Sequence, residues 1–201
     1  MNCAAVFFAD GFEEIEALAP VDFLRRAGVK VITVGVKGKV LENEFVVTSS
    51  HNVQILTDMT LKKYLNEFSD SVDCLICPGG SAGADNLADC EILTNHLENS
   101  WKKGKIIAAI CASPAVVLGK TEILHNKKWT CYPGMQDNAK KDFLNGYENK
   151  TFVVDGNLIT ARGPGASEEF AMEILKKMCG KEVFNKIRSG TQQTAHSESV
   201  L

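Results

Sequence analysis

The sequence lacks a run of apolar residues long enough to cross a membrane. A membrane-spanning helix needs about 20 such residues, whereas the first apolar run, from Cys3 to Ala9, is followed by Asp10, Glu13 and Glu14. The basic start and the small-residue cleavage site of a secretory signal peptide are also missing. We therefore expect neither insertion into a membrane nor secretion.

The chain has little positive charge and no basic cluster. Its 201 residues include 22 Lys and Arg against 25 Asp and Glu, for a net charge of −3. No run of Lys or Arg is long enough to follow a phosphate backbone. Nucleic acid is therefore not an expected partner.

Regular cysteine and histidine spacings are missing as well. The seven cysteines are odd in number and scattered, which predicts free thiols in a reducing compartment, and we place the protein in the cytoplasm. The histidines are far apart in sequence, so we expect no metal site and no cofactor. They are His51, His96, His125 and His196.

Short apolar runs alternate with helical patterns along most of the chain. This alternation is typical of an α/β protein with a mostly parallel sheet. We predict one domain over residues 1–188 and a mobile polar tail over 189–201. Strands are predicted at 3–9, 29–36, 45–48, 53–56, 74–77, 105–110, 151–154 and 158–161, and the last two form a hairpin. Helices are predicted from about 13 to 28, over 61–68 and 91–103, after 113, and over 167–180.

Three acidic residues lie at the start of the first predicted helix. Ile15, Leu18, Val21 and Leu24 are spaced along one side of it, which predicts that this side faces the sheet. At least one of Glu13, Glu14 and Glu16 should then also face the sheet, because they flank Ile15. A carboxyl group in such a partly apolar place has a raised pKa and can exchange a proton with a neighbour.

Cys111 is the best candidate nucleophile in the sequence. It follows a buried strand and precedes a helix, and ligand sites of parallel sheets lie at such strand ends. Amide groups at the helix start favour the thiolate over the thiol. The N–H groups of Gly79 and Gly80, which follow another strand, would stabilise an oxyanion. The alternatives are a space-filling buried cysteine and a simple tight turn.

Cys74 and Cys77 form a C-x-x-C pair within a predicted strand. Because side chains alternate along a strand, the two thiols should point to opposite faces of the sheet. We therefore interpret both as core residues, not as a redox or zinc motif.

Four motifs occur in an order that resembles the DJ-1/ThiJ/PfpI superfamily, and its DJ-1/ThiJ branch in particular. The resemblance covers about residues 4–187. The motifs are Gly11-Phe12-Glu13-Glu14-Ile15-Glu16, Cys77-Pro78-Gly79-Gly80, Ala108-Ala109-Ile110-Cys111-Ala112-Ser113-Pro114 and Arg162-Gly163-Pro164-Gly165.

This resemblance implies a flavodoxin-like three-layer sandwich that forms a homodimer. It also implies a reactive cysteine on a strained turn at Cys111, with a buried glutamate at Glu16 that shares a hydrogen bond with it. The backbone groups near the thiolate would be those of Gly79, Gly80 and Ala112. By the same resemblance, the site would be lined by Tyr132, Arg162 and Pro164, and the dimer interface would include Asp22, Arg26 and His51.

The chain departs from the superfamily pattern at three positions. Tyr132 precedes Pro133 where many relatives have a histidine, and His51 replaces an interface arginine, so the motifs supply no matching catalytic histidine. Ala112 follows the nucleophile where the protease-like branch has a histidine, which argues against peptide hydrolysis.

Three functions remain open from the sequence. The first is a cofactor-independent glyoxalase or protein deglycase that acts on 2-oxoaldehydes, or on their adducts with protein, through Cys111 and Glu16. The second is a redox sensor or chaperone of the oxidative stress response in which Cys111 is oxidised to a sulfinate. The third is a binding domain in which Cys111 is structural.

Overall fold

A seven-stranded, mostly parallel sheet forms the centre of the molecule in this computed structural model, which describes residues 2–41 and 44–193. Its strands are β1 Cys3–Ala9, β2 Lys30–Lys37, β6 Met59–Thr60, β7 Cys74–Cys77, β8 Ile106–Ile110, β9 Phe152–Asp155 and β10 Leu158–Ala161. Their spatial order is β6-β2-β1-β7-β8-β10-β9, and only β9 is antiparallel to its neighbour. The predicted mostly parallel α/β fold is confirmed.

Helices cover both faces of this sheet. They are α1 Glu14–Arg26, α2 Leu61–Glu67, α3 Ser81–Ala88, α4 Glu91–Lys102, α5 Ser113–Val116 and α6 Ser167–Gly190. Side chains of α2, α3, α4 and α5 pack on one face, and those of α1 and α6 pack on the other. Within the described residues no helix is both long and apolar enough to span a membrane.

Two apolar cores follow from the alternation of side chains along the buried strands. All seven residues of β1 are buried, with Phe7 in one core and Phe8 in the other. Cys74 and Cys77 likewise belong to different cores, as predicted for opposite faces. This arrangement explains why the central strands have continuous apolar sequences.

A small antiparallel sheet lies outside the main alternation, as predicted. It contains β3 Lys39–Leu41, β4 Glu44–Thr48 and β5 Gln54–Leu56. The N–H of Gly11 donates to the carbonyl of Thr48 at 2.8 Å, and the N–H of Ser50 donates to that of Phe12 at 2.8 Å. The turn between β4 and β5 is therefore fixed to the loop that follows β1.

The C-terminal helix continues beyond its predicted end. Gly180 has φ 83° and ψ 172°, so the chain does leave the helical conformation there, but a second helical segment continues to Gly190. Residues 189 and 190 are thus helical, although they fall in the predicted tail. The last part of that predicted tail, residues 194–201, lies outside the described residues.

The face that α1 buries differs from the predicted one. Ile15 is 58% exposed and Leu18 is 39% exposed, whereas Glu16 has no exposed surface. Val21 and Leu24, which were predicted on the same side as Ile15, are buried as expected, and together with Ala17 they pack on the sheet and on α6. A buried acidic residue was correctly predicted, but the reason, an inward-facing Ile15, was wrong.

Candidate active site

The three loops selected from the sequence meet at one edge of the sheet. Strands β1, β7 and β8 are adjacent and parallel, so their carboxyl ends lie side by side. Gly79 follows β7, Cys111 follows β8, and Glu16 begins α1 shortly after β1. The topology thus places a thiol and a carboxyl group together.

Cys111 lies on a strained turn between β8 and α5. Its φ is +64°, a left-handed conformation that residues with a side chain rarely adopt. The N–H of Cys111 donates to Ala161 at 2.9 Å, and its carbonyl accepts from the N–H of Tyr132 at 2.7 Å. These two hydrogen bonds, one to the N–H and one to the carbonyl of Cys111, hold its backbone in the strained conformation. A strained backbone persists only where the surrounding structure holds it in place.

Glu16 is a fully buried acid in the first turn of α1. Its Oε2 accepts a hydrogen bond from the N–H of Gly79 at 2.8 Å. Its Oε1 is buried and has no hydrogen-bond partner of ordinary geometry among the described residues. A buried acceptor without a donor is unfavourable, most of all when charged, so this oxygen is suited to carrying a proton.

Cys111 and Glu16 titrate as a coupled pair. Burial raises the pKa of Glu16 to about 7. Burial and the adjacent carboxylate of Glu16 raise the pKa of the Cys111 thiol to about 12. Two negative charges in this buried place would repel each other, so the pair retains at least one proton through the neutral range.

The amide groups at the helix start, which were expected to favour the thiolate of Cys111, do not determine its ionisation by themselves. The helix that follows, α5, has only four residues, so its dipole is small. Burial and the charge of Glu16 outweigh the backbone N–H groups at the sulfur. A thiolate forms here when the shared proton lies on Glu16.

The backbone donors divide between the two members of the pair. The N–H groups of Gly80 and Ala112 lie near the sulfur of Cys111, where they lower its pKa and so favour its ionised form. Gly79 lies beside Cys111 as expected, but its N–H donates to Glu16 and not to the sulfur.

Gly79 also leaves the space in which the pair meets. A Cβ at this position would lie 2.5 Å from the Cβ of Cys111 and 2.5 Å from Oε2 of Glu16. Such distances are far below normal contact, so any side chain here would push the thiol and the carboxyl group apart.

The residues predicted to line the site differ in how closely they approach it. Tyr132 is bonded through its N–H to the carbonyl of Cys111, and its half-exposed ring lies beside Gly163. Pro164 is exposed and begins a short 3-10 turn. Arg162 is exposed, and its N–H donates to the carbonyl of Thr151. Its positive charge opposes the rise that burial causes in the pKa of Tyr147.

The residues expected at the dimer interface are exposed in the single chain. Asp22 and Arg26 form an ion pair of 2.6 Å along α1. Nδ1 of His51 lies 2.8 Å from Oε2 of Glu14. Hydrogen bonds from His51 and Ser49 hold the pKa of Glu14 at about 2, despite some desolvation, and Glu14 in turn raises the pKa of His51.

Glu13, Glu14 and His51 are the described residues whose spacing would permit a bound cation. One ligand atom from each lies within 4.8 Å of the others. These atoms already have partners, because Glu14 accepts from Ser49 and from His51, and Glu13 accepts from the N–H of Glu16. The arrangement is a hydrogen-bonded ion-pair cluster at the rim of the site.

Comparison with known proteins places these residues in a family. The family model described as the DJ-1/PfpI family matches residues 2–177. The chain belongs to the DJ-1/PfpI family. It is 38% identical over 190 residues to protein dj-1beta of Drosophila melanogaster, an alignment that covers 93% of this chain and 95% of that one.

Two further members of the DJ-1/PfpI family are informative. The chain is 30% identical over 175 residues to a Caenorhabditis elegans protein named glutathione-independent glyoxalase DJR-1.2, with 87% of each chain covered. The solved structure titled Toxoplasma gondii DJ-1, oxidized, superposes with a TM-score of 0.85 and 32% identity. That superposition covers 96% of this chain and 98% of the other.

Two functional contacts were missed from the sequence. The buried hydroxyl of Ser113 donates to the carbonyl of Pro78 at 2.5 Å and so joins the two loops of the site. Glu13 caps α1 and accepts from the N–H of Glu16 at 2.8 Å. Ser113 gave no signal beyond its place in a motif, whereas Glu13 was visible as one of three clustered acids.

Proposed function

We propose that this protein is a cysteine-dependent, cofactor-independent glyoxalase that converts 2-oxoaldehydes such as methylglyoxal into 2-hydroxy acids. The single observation that carries the proposal is the meeting of the Cys111 thiol with the buried carboxyl group of Glu16, with backbone N–H groups beside the sulfur. Such a pair can form a covalent bond to an aldehyde and move a proton between neighbouring carbons. The name of the nematode relative supports the same chemistry.

The first step is addition of sulfur to the aldehyde. The sulfur of Cys111 bonds to the aldehyde carbon, and the C=O electron pair moves to oxygen. The shared proton, held by Glu16 at this stage, neutralises that oxygen to give a hemithioacetal. The N–H groups of Gly80 and Ala112, already directed at the sulfur, would donate to the developing oxyanion.

The second step is an internal oxidation and reduction of the substrate. Glu16, again a carboxylate, removes the proton from the former aldehyde carbon and returns it to the neighbouring carbonyl carbon through an enediol, while the hydroxyl group of the hemithioacetal passes its proton to the ketone oxygen. This produces a thioester and a hydroxyl group without any external oxidant. Water then attacks the thioester, releases the hydroxy acid and restores the thiol and its proton. The raised pKa of Glu16, about 7, suits both directions of transfer.

The test is the product formed from methylglyoxal by the purified protein. We expect lactate, in an amount equal to the methylglyoxal consumed, without added glutathione or metal. Replacement Cys111→Ala should reduce the rate by at least about 100-fold, because the covalent step is lost. Lactate production that survives in Cys111→Ala would contradict this mechanism.

A protein deglycase would use the same residues on a different substrate. To separate the two activities, a preformed adduct of methylglyoxal with N-acetylcysteine is supplied together with an excess scavenger of free aldehyde. Lactate formation that persists would support action on the adduct. Lactate formation that stops would restrict the substrate to the free 2-oxoaldehyde.

The second candidate function is a redox sensor or chaperone of the oxidative stress response. It is favoured by the two N–H groups directed at the sulfur, which would also bind the oxygens of a sulfinate. Two equivalents of peroxide would each transfer one oxygen to the sulfur and leave as water. Mass spectrometry should then find two added oxygens on Cys111 before the partly exposed Cys90 and Cys179 react. Equal oxidation of all three would exclude selective sensing.

We further propose that the protein acts in the cytoplasm as a homodimer. All seven cysteines, which lie within the described residues, are free thiols, as expected in a reducing compartment. Ile15 and Leu18 lie on the exposed side of α1 near the Asp22–Arg26 pair, and apolar surface of this kind favours a partner. A second copy of the chain is the partner proposed here.

A further inference from the structure

Glu13 closes a ring of three hydrogen bonds around the catalytic acid. Its N–H donates to the carbonyl of Gly79 at 3.1 Å, and the N–H of Gly79 donates to Oε2 of Glu16 at 2.8 Å. The N–H of Glu16 then donates to Oε2 of Glu13 at 2.8 Å. The ring connects the start of α1 with the loop after β7, and all three residues are buried.

Glutamate is an unusual residue for this position. The residue before the first turn of a helix is most often Ser, Thr, Asp or Asn, whose short side chains reach the free N–H groups easily. Glu13 performs the capping with a longer side chain that is only 8% exposed. A buried charge that propensity does not favour indicates a role beyond ending a helix.

The charge of Glu13 acts directly on Glu16. Burial is the main cause that raises the pKa of Glu16, and the negative carboxylate of Glu13 raises it further. Hydrogen bonding to Cys111 and Gly79 acts in the opposite direction and lowers it. The other ionisable groups close to Glu13 are Glu14 and His51, which pair with each other at the rim. Cys111 is the other ionisable group that acts on Glu16.

We propose that Glu13 is a positioning residue for the proposed reaction, and that its carboxylate both fixes Glu16 and opposes loss of the first of the two protons of the Cys111–Glu16 pair. The inference rests on the proposed function for its catalytic meaning. The arrangement itself does not depend on any substrate. A negative charge beside the pair makes loss of the first of its two protons less favourable. Removal of the Glu13 charge should therefore make this first ionisation easier.

The experiment measures the rate at which iodoacetamide alkylates Cys111 between pH 5 and pH 10, with the modified residue identified by mass spectrometry. Glu13→Gln retains an acceptor for the N–H of Glu16 but removes the charge. We expect its alkylation profile to move to lower pH by about one unit. Glu13→Asp retains both the charge and the capping, and its profile should stay close to the native one.

A second neutral variant protects the test against misfolding. Glu13→Ser caps the helix through a hydroxyl group, and its profile should shift in the same direction as that of Glu13→Gln. Thermal unfolding of each variant verifies that it is folded. A native-like profile in the folded neutral variants, or an equal shift in Glu13→Asp, would overturn the proposal.

The alkylation profile also separates this inference from the proposed glyoxalase activity. Iodoacetamide reports on the thiol without any 2-oxoaldehyde. If the native protein forms no lactate but the Glu13→Gln profile still shifts, the proposed function fails and the assignment of Glu13 stands. If lactate forms and the profile does not shift, only the assignment of Glu13 fails.

Discussion

At the scale of single residues, one shared proton determines what Cys111 can do. A buried thiol alone would be inert, because burial raises its pKa, and a buried carboxylate alone would be poorly solvated. Together they hold a single negative charge, which can lie on either sulfur or oxygen. The unpartnered Oε1 of Glu16 is the oxygen best suited to hold the proton before sulfur attacks.

A substitution at Gly79 tests directly whether the thiol of Cys111 must lie close to the carboxyl group of Glu16. Gly79→Ala would place a methyl group 2.5 Å from both the Cβ of Cys111 and Oε2 of Glu16, so the pair must separate. We expect lactate formation to fall at least tenfold and the free energy of unfolding to fall by about 1–3 kcal/mol, as in other overpacked cores. Steady-state kinetics and urea unfolding provide the two measurements.

Gly165→Ala is the matched control for that substitution. A Cβ at Gly165 would meet no atom within 4 Å, so the same added methyl group should change neither rate nor stability measurably. Native activity in Gly79→Ala, or an equal loss of activity in Gly165→Ala, would show that lactate formation does not depend on the space that Gly79 leaves for the thiol and the carboxyl group.

At the scale of elements, the site depends on how the loop after β7 is joined to the turn after β8. The hydroxyl of Ser113 forms that connection through the carbonyl of Pro78, and its buried hydrogen bond is 2.5 Å long. It keeps the N–H of Gly80 in reach of the sulfur of Cys111. The short helix α5 is thus an anchor for the loop more than a source of charge.

Ser113→Ala should weaken this connection. Loss of a buried hydrogen bond is expected to lower the free energy of unfolding by about 1–3 kcal/mol and to slow alkylation of Cys111. Ser71→Ala removes a similar bond, from hydroxyl to the carbonyl of Phe68 at 2.9 Å, but at an exposed position. It should change stability by less than about 0.5 kcal/mol. Equal effects of the two substitutions would show that the Ser113 bond has no special structural role.

Much of the element order was predictable from the sequence because central parallel strands have distinctive apolar runs. The run from Cys74 to Cys77 and the run before Cys111 are found as strands. Helix α3, Ser81–Ala88, was missed because Gly83 and its polar residues give little apolar periodicity. The buried side of α1 was predicted only in part: Val21 and Leu24 are buried but Ile15 is exposed, because the apolar residues lie on two sides of the helix and periodicity alone does not say which side meets the sheet.

The chemistry of the site was less predictable than its location. The meeting of Cys111 and Glu16 follows from adjacent strand ends. The direction of the pKa shift of Cys111 cannot be predicted in the same way, because it depends on burial and on a carboxylate whose position only the fold determines. The division of the backbone donors, with Gly79 serving Glu16, likewise depends on geometry within a few ångströms.

At the scale of the whole molecule, the exposed side of α1 predicts the assembly. Ile15 is 58% exposed on a helix whose other side is buried. Ile15→Glu should leave the monomer folded, because the side chain is outside the core, and should shift the mass measured by sedimentation from dimer to monomer. Ile92→Glu, at an exposed residue of α4, is the matched control and should remain dimeric. A native protein that sediments as a monomer would contradict the proposed dimer.

The central claim, that Cys111 and Glu16 act as one unit, is tested most directly by the rate of lactate formation in Cys111→Ala, Glu16→Gln and the double variant. Residues that act as a unit lose their effects together. We predict that each single variant loses at least about 100-fold in rate and that the double variant loses no more than the worse single one. Losses that multiply in the double variant, or substantial activity in either single variant, would contradict the account.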